Sequence, residues 1–286
     1  MTKLDLFVRS HGNKLLWIQA VLAFSFLYLP ILILIIYSFN TSRFNAVWRG
    51  FTLDWYRSLF VTSAATIATS SSAGILPALN NSLLIAAVSS ILATIFGTAI
   101  ALALERFNFP GRKAIEALLF LPIIMPEITI GISLLVFFTL LFRIIENLSG
   151  IRLNLGLTTV IIGHVAFSIS FVTITVRARL AEFDRTLEQA AFDLGANEWK
   201  TFWRITFPLI WPGIFSAALL AFTLSLDDFV ITFFTTGVGA MTLPLFVYGQ
   251  IKFAVTPAIN AISTLMLLAS LLLVVSSLTV RKTVDS

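Results

Sequence analysis

Residues 177–214, RARLAEFDRTLEQAAFDLGANEWKTFWRITFPLIWPGI, decide how this chain is read. Thr186 followed three positions later by Gln189 has the form of a capping box and predicts a helix start. Leu187, Ala190, Ala191 and Leu194 then recur at i, i+3, i+4 and i+7, which makes one face apolar and smooth. Glu188 and Asp193 are expected on the wet side, and an acid at 188, in the first turn, suits the helix dipole. Gly195 predicts a left-handed stop, and Asn197 predicts the cap of a second short helix with Trp199, Phe202 and Trp203 as its apolar positions. Pro208 is expected to end that helix. A bent amphipathic pair of this kind either docks into a groove on another protein or lies flat on lipid headgroups. Its shortness, its alanines in place of bulky anchors and its acids favour docking.

Outward from this segment the chain is overwhelmingly apolar. Of 286 residues 58% are hydrophobic and 12% charged, against roughly a quarter charged in ordinary soluble domains. With a mean hydropathy of +0.97, much of the surface needs a solvent less polar than water. A water-soluble enzyme, a nucleic-acid binder and a secreted disulfide scaffold are excluded as classes, and a lipid bilayer becomes the expected surroundings. The absence of cysteine removes disulfides, thiolate nucleophiles and Cys-ligated metals. Six runs of about 20 apolar residues, at 15–39, 81–104, 114–142, 157–176, 209–236 and 258–280, predict six transmembrane helices in an all-α integral membrane protein. The connections between them are too short for a second soluble domain, so 1–286 is read as one transmembrane domain. The first run is too long for a signal-peptide core and is expected to stay as an anchor.

Charge placement orients the spans. With the N-terminus inside, Lys3, Arg9, Lys14, Arg106, Arg112, Lys113, Arg177, Arg179, Arg185, Lys200, Arg204, Arg281 and Lys282 fall on the inner side. Only Arg43, Arg49, Arg57, Arg143, Arg152 and Lys252 fall outside, so both termini are expected in the cytoplasm. The uncharged stretch TSAATIATSSSAG at 62–74 reads as a mobile external loop.

Within the spans, Ala86, Ser90, Ala93, Gly97 and Ala101 place small residues at helical spacing, as a close-packing face requires. Pro30, Pro122, Pro126 and Pro212 are expected to interrupt helices one, three and five, either as kinks or as breaks lining a path. Acids at membrane depth are the sharper signal, because a charge near mid-span costs about 2.5–3.5 kcal/mol on insertion scales. Glu127 directly follows Pro126, and Asp227 and Asp228 lie in the fifth run, whereas no lysine or arginine lies inside any run. This asymmetry favours a cation path. The alternative is a carboxylate capped or solvated at a helix break. Adjacent helical residues point about 100° apart, so Asp227 and Asp228 cannot both face one narrow path squarely. Phe222 and Phe229 stand nearby as candidate apolar and cation–π walls. His164 reads as a neutral hydrogen-bond partner, and Glu105, Arg106 and Arg112 as a solvated charged ring.

The pattern at 188–208 resembles the EAA loop of bacterial ATP-binding-cassette importer permeases. That loop reads E-A-A, three residues, Gly, nine residues, then I-x-L-P. Gln189, Ala190, Ala191, Gly195, Ile205 and Pro208 occupy its positions, with Glu188 before them. Gln189 stands where the family has glutamate and Phe207 where it has leucine; Glu188 offers a carboxylate one residue away. LPIIMPEITIGISLL in the third run and LAFTLSLDDFVITFF in the fifth are similar to the permease subunits of spermidine/putrescine importers. The resemblance implies the type I importer permease fold, with a core unit at about 76–286 and a coupling helix at about 186–206 that inserts into a separate ATPase. Glu188, Gln189, Ala190, Ala191, Gly195, Trp199, Ile205 and Pro208 would carry that coupling. Implied partners are a second homologous permease, a dimer of ATP-binding subunits, a periplasmic substrate-binding protein, membrane lipid and a polyamine, in a bacterial inner membrane.

A P-loop nucleotide site needs Gly-Lys, and the chain has no Gly-Lys dipeptide. ATP and Mg are therefore expected on a partner, with no cofactor or metal bound here and no catalytic residues. Three other readings stand beside this one: an importer permease for another solute, a secondary transporter coupled to ions through Glu127 or Asp228, and a membrane enzyme. The last lacks a recognisable nucleophile and base set.

Overall fold

In hydrocarbon a spanning backbone must satisfy its own donors and acceptors, which a single segment achieves only as a helix. The computed structural model describes residues 3–42, 47–60, 74–252 and 256–284, and every regular element among them is helical. In chain order these are α1 (Lys3–Tyr37), α2 (Asp54–Phe60), α3 (Ile75–Arg106), α4 (Arg112–Ile124), α5 (Glu127–Ser149), α6 (Leu157–Ala181), α7 (Thr186–Asp193) and α8 (Glu198–Thr201). A π-helical turn (Phe202–Thr206), α9 (Phe207–Asp227), α10 (Val230–Thr235), α11 (Leu243–Ile251) and α12 (Pro257–Val284) follow. The stretch read as a mobile loop at 62–74 lies outside the described residues except for Gly74.

Among the described residues five stretches are long and apolar enough to cross a bilayer: Lys14–Tyr37, Ile75–Arg106, Glu127–Ser149, Leu157–Ala181 and Glu198–Asp227. The sixth expected run falls on α12, whose described apolar part, Pro257–Leu272, is shorter than a span.

Of the four prolines expected to interrupt the spans, Pro126 alone breaks one. The third run is divided at Pro126, which puts Met125 in an extended conformation, as the residue before proline prefers. Pro30, Pro122 and Pro212 lie inside continuing helices, so the expected break is absent at these three, leaving the kink of the two alternatives. Pro208 does not end the short helix either. The π turn immediately before it widens the coil, its last bond running from the Phe207 amide to the Phe202 carbonyl. This accommodates a ring that would otherwise press on the preceding turn. The fifth span therefore starts at Glu198, not near 209, and it breaks at Asp228 before reaching 236.

The chain forms two compact units, the described parts of 1–72 with 250–268 and of 73–249 with 269–286. In the first unit, Asn40 organises the turn after α1. Its amide donates to the Val47 carbonyl at 2.9 Å, its side-chain oxygen accepts from the amides of Ser42 and Arg49, and Trp55 Nε1 donates to its carbonyl at 2.8 Å. Phe39 stacks on Phe51 with ring centroids 5.3 Å apart.

In the second unit α3, α6 and α9 pack together through Ala93, Ala101, Val172, Val176, Ile210, Ile214, Ala217 and Ala221. Lipid is as apolar as leucine, so close packing and not hydrophobicity holds such helices together. The small residues read from the sequence serve this role: Ala86, Ser90, Ala93, Gly97 and Ala101 are all buried on α3. Gly97 is indispensable to the contact, since a Cβ there would stand 2.7 Å from Val172 Cγ1. Thr173 Oγ1 donates to the Gly97 carbonyl at 3.2 Å across the same junction.

Candidate functional site

The hook between α6 and α9 is built by local hydrogen bonding. The helix starts at Thr186, but Thr186 makes no capping box. Asp184 Oδ1 instead accepts the Thr186 amide at 2.9 Å, two residues back, because a short acid ahead of the first turn reaches that donor directly. That amide holds the Asp184 carboxyl below the ordinary carboxylate range. The helix ends as read. Gly195 has φ of +83°, its amide donates to the Phe192 carbonyl at 2.9 Å, and the Ala196 amide reaches back to Ala191 at 3.0 Å. This is a Schellman stop, and it suits glycine because its left-handed φ strains any residue with a Cβ. Asn197 Oδ1 accepts the Lys200 amide at 2.9 Å and caps α8 as expected.

The apolar face is divided between two environments. Ala191 is buried against the chain's own helices, whereas Leu187, Ala190, Leu194 and Trp199 are exposed, Leu194 at 89% and Trp199 at 69%. From Trp199 a ladder of rings at four-residue spacing runs through Trp203, Phe207, Trp211 and Phe215, with centroid separations of 5.7, 4.8, 5.4 and 6.3 Å. Gln189 is exposed, Ile205 half-buried and Pro208 exposed.

Glu188 corrects the expectation of a solvated acid. It turns inward, where Arg106 Nη2 and the Thr206 hydroxyl both donate to its Oε1. Nor is the charged ring at the end of α3 free in solvent. Arg177 Nε donates to Glu105 at 2.9 Å and its Nη2 to Glu116 at 3.2 Å, Arg112 reaches Glu116 at 3.3 Å, and Arg185 donates to the Glu105 carbonyl at 2.9 Å. Opposite charges at one helix-end layer find one another because a shared carboxylate satisfies two cations at once. Glu105, Arg106, Phe107, Leu180, Phe183, Arg185, Glu188, Phe192, Glu198 and Thr201 line a cavity of about 260 Å³ behind the hook.

The membrane-depth acids do not share one surface. Glu127 is exposed in the first turn of α5, not at the centre of a long helix, because Pro126 restarts the coil there. Asp227 is exposed at the end of α9, with Ser270 Oγ 3.4 Å from both its oxygens. Asp228 is extended and turned inward. It accepts the Ile231 amide at 3.3 Å and the Thr232 amide and hydroxyl at 2.9 and 3.0 Å, with His164 Nε2 3.2 Å away. Phe222 and Phe229 are half-buried, and the Phe229 ring lies 4.7 Å from that of Tyr248. Sequence reasoning missed Tyr248, Thr206 and the partners of His164. The partners of His164, Ser225 and Thr232, sit on other helices, where no local pattern points to them.

Residues 93–285 match the family described as binding-protein-dependent transport system inner membrane component, and the chain belongs to it. It is 42% identical over 248 residues to the putrescine transport system permease protein PotI of Escherichia coli strain K12, covering 86% of this chain and 83% of that protein. It is 38% identical over 254 residues to the spermidine/putrescine transport system permease protein PotC of the same strain, covering 89% of each. Solved structures share the fold at lower identity. A chain of a bacterial ABC transporter involved in alginate import superposes with a TM-score of 0.68 at 16% identity over 99% of both chains. The MetNI methionine ABC transporter gives 0.57 at 18% identity, covering 73% of this chain and 95% of that one.

Proposed function

We propose that the chain is the membrane-spanning permease subunit of an ATP-driven polyamine importer for spermidine or putrescine. It crosses a bacterial inner membrane six times with both termini in the cytoplasm, and pairs with a second homologous permease. A dimer of ATP-binding subunits grips the hook, and a periplasmic binding protein delivers the substrate. ATP and Mg reside on the ATPase, and this chain performs no catalysis.

The observation that carries this reading is the hook itself. Its tip presents Leu187, Leu194 and Trp199 to the outside, while its root is fastened by Glu188 to Arg106 on α3. A surface that is apolar outward and ionically anchored inward suits transmission of force from a gripping partner to the helices. Glu188, Gln189, Ala190, Ala191, Gly195, Trp199, Ile205 and Pro208 form the coupling segment, Glu188 by anchoring and the exposed members by contact. On the substrate side, the exposed acids Glu127 and Asp227 with Phe222 and Phe229 line the acidic path, and Asp228 stands beside Asp227 at the helix break. The polyamine assignment draws on the names of the relatives and on the exposed acids Glu127 and Asp227.

Purification of the chain with its partners into liposomes, followed by measurement of ATP hydrolysis against spermidine and putrescine, tests the proposal. Stimulation by polyamine and uptake that stops without ATP are expected. Uptake by the isolated chain under an ion gradient, with no ATP, would refute it.

A further inference from the structure

Asp227 and Asp228 are neighbours in sequence with unlike surroundings. Asp228 has a side chain 6% exposed and His164 one 1% exposed. The carboxylate accepts the Ile231 amide through Oδ1 and the Thr232 amide and hydroxyl through Oδ2, and His164 Nε2 lies 3.2 Å from the same Oδ2. The Thr232 hydroxyl gives its hydrogen to Asp228, so His164 Nε2, 2.9 Å from that oxygen, faces acceptors only and carries a hydrogen. On the other side of the ring, Nδ1 lies 2.7 Å from Ser225 Oγ, itself 2.9 Å from Ser89 Oγ. One polar chain thus links α3, α6, α9 and α10 through residues that are all buried except at the Asp228 backbone.

We infer that His164 and Asp228 are positioning residues: together they bolt α10 to α6 and set the break after α9, and of the two neighbouring acids Asp227 is the one left to meet a passing cation. The geometry explains the pairing of two acids in one motif. The first is exposed and lightly held by Ser270; the second is consumed in holding the first in place. A buried carboxylate with donors already on both oxygens attracts an ammonium group less than an exposed, lightly held one does.

This inference deepens the importer reading and rests on it. Its test uses the complete importer in liposomes and initial rates of spermidine uptake. Asp227→Asn is expected to raise KM about fivefold or more while kcat stays within about twofold. Asp228→Asn and His164→Gln are expected to lower kcat about tenfold with KM nearly unchanged. A raised KM at constant kcat in Asp228→Asn would overturn the assignment. His164→Gln leaves the Asp228 cap of α10 in place, so it decides the matter where Asp228→Asn fails to assemble.

The absence of native cysteine permits a second readout that needs no knowledge of the substrate. A water-soluble, positively charged thiol reagent should label Asp227→Cys and spare Asp228→Cys. Equal labelling rates would overturn the division of roles. Unequal labelling in a protein that takes up no spermidine would support the division and refute the polyamine reading.

Discussion

Arg106 in the last turn of α3 and Glu188 in the first turn of α7 are joined through one Nη2 and one Oε1, and the same oxygen takes the hydroxyl of Thr206. The pair ties the hook to a helix 82 residues earlier in the chain. It is only partly exposed, with side chains at 32% and 13%, so solvent screens it incompletely. Arg106→Glu and Glu188→Arg should each uncouple the importer, with ATP hydrolysis retained and uptake reduced about tenfold. The double reversal should recover part of the loss, with a coupling energy on the order of 1 kcal/mol in a thermal-unfolding cycle. Strict additivity of the two single variants would remove the anchor from the mechanism.

At Gly195 the space that a Cβ would fill is open, and the constraint is the backbone φ of +83°. Gly195→Asn, a residue that tolerates the left-handed region, should keep most uptake. Gly195→Val should cost about 1–2 kcal/mol locally and lose most uptake, because its branched Cβ resists that conformation. Uptake measured in matched liposomes separates the two, and equal activity would show that the stop is dispensable.

Trp199 is 69% exposed and packs edge-on to Trp203 at 5.7 Å. Trp199→Ser should leave the helical spectrum and melting temperature of the isolated chain within error. Recovery of the ATPase on affinity purification should fall sharply, since exposed aromatic anchors of this kind cost about 2 kcal/mol or more when truncated at an interface. Full recovery of the ATPase would show that the partner grips elsewhere.

Gly97→Ala tests the packing of α3 on α6. The added methyl would meet Val172 Cγ1 at 2.7 Å, Val172 Cβ at 2.8 Å and the Ile169 carbonyl at 3.2 Å. Overpacking of this sort costs about 1–3 kcal/mol. A lower melting temperature in detergent is expected, with partial rescue by Val172→Ala. A variant as stable as the parent would mean that the two helices separate at little cost.

What the sequence disclosed was whatever depends on near neighbours or on hydropathy. Gly195 and Asn197 punctuate the hook as read, because a left-handed stop and an Asn cap are settled within three residues. The buried stripe from Ala86 to Ala101 followed from helical spacing. What it concealed was pairing across distance. Glu188 looked solvated because its partner lies on α3, and the pairing of Asp228 with His164 was hidden because His164 lies on α6. Pro208 was misread for a different reason: the π turn that accommodates it leaves no signature in the apolar pattern.

That turn has a mechanical consequence. By keeping Glu198–Asp227 an uninterrupted coil of 30 residues, it makes a strut about 45 Å long at 1.5 Å rise per residue. Tilting such a strut by about 5° at one end displaces the other by about 4 Å, close to the diameter of a hydrocarbon chain. A force applied near Trp199 would thus be carried along one coil to Asp227, and it would shift the α3 and α6 side chains packed against Ile210 and Ala217 with it.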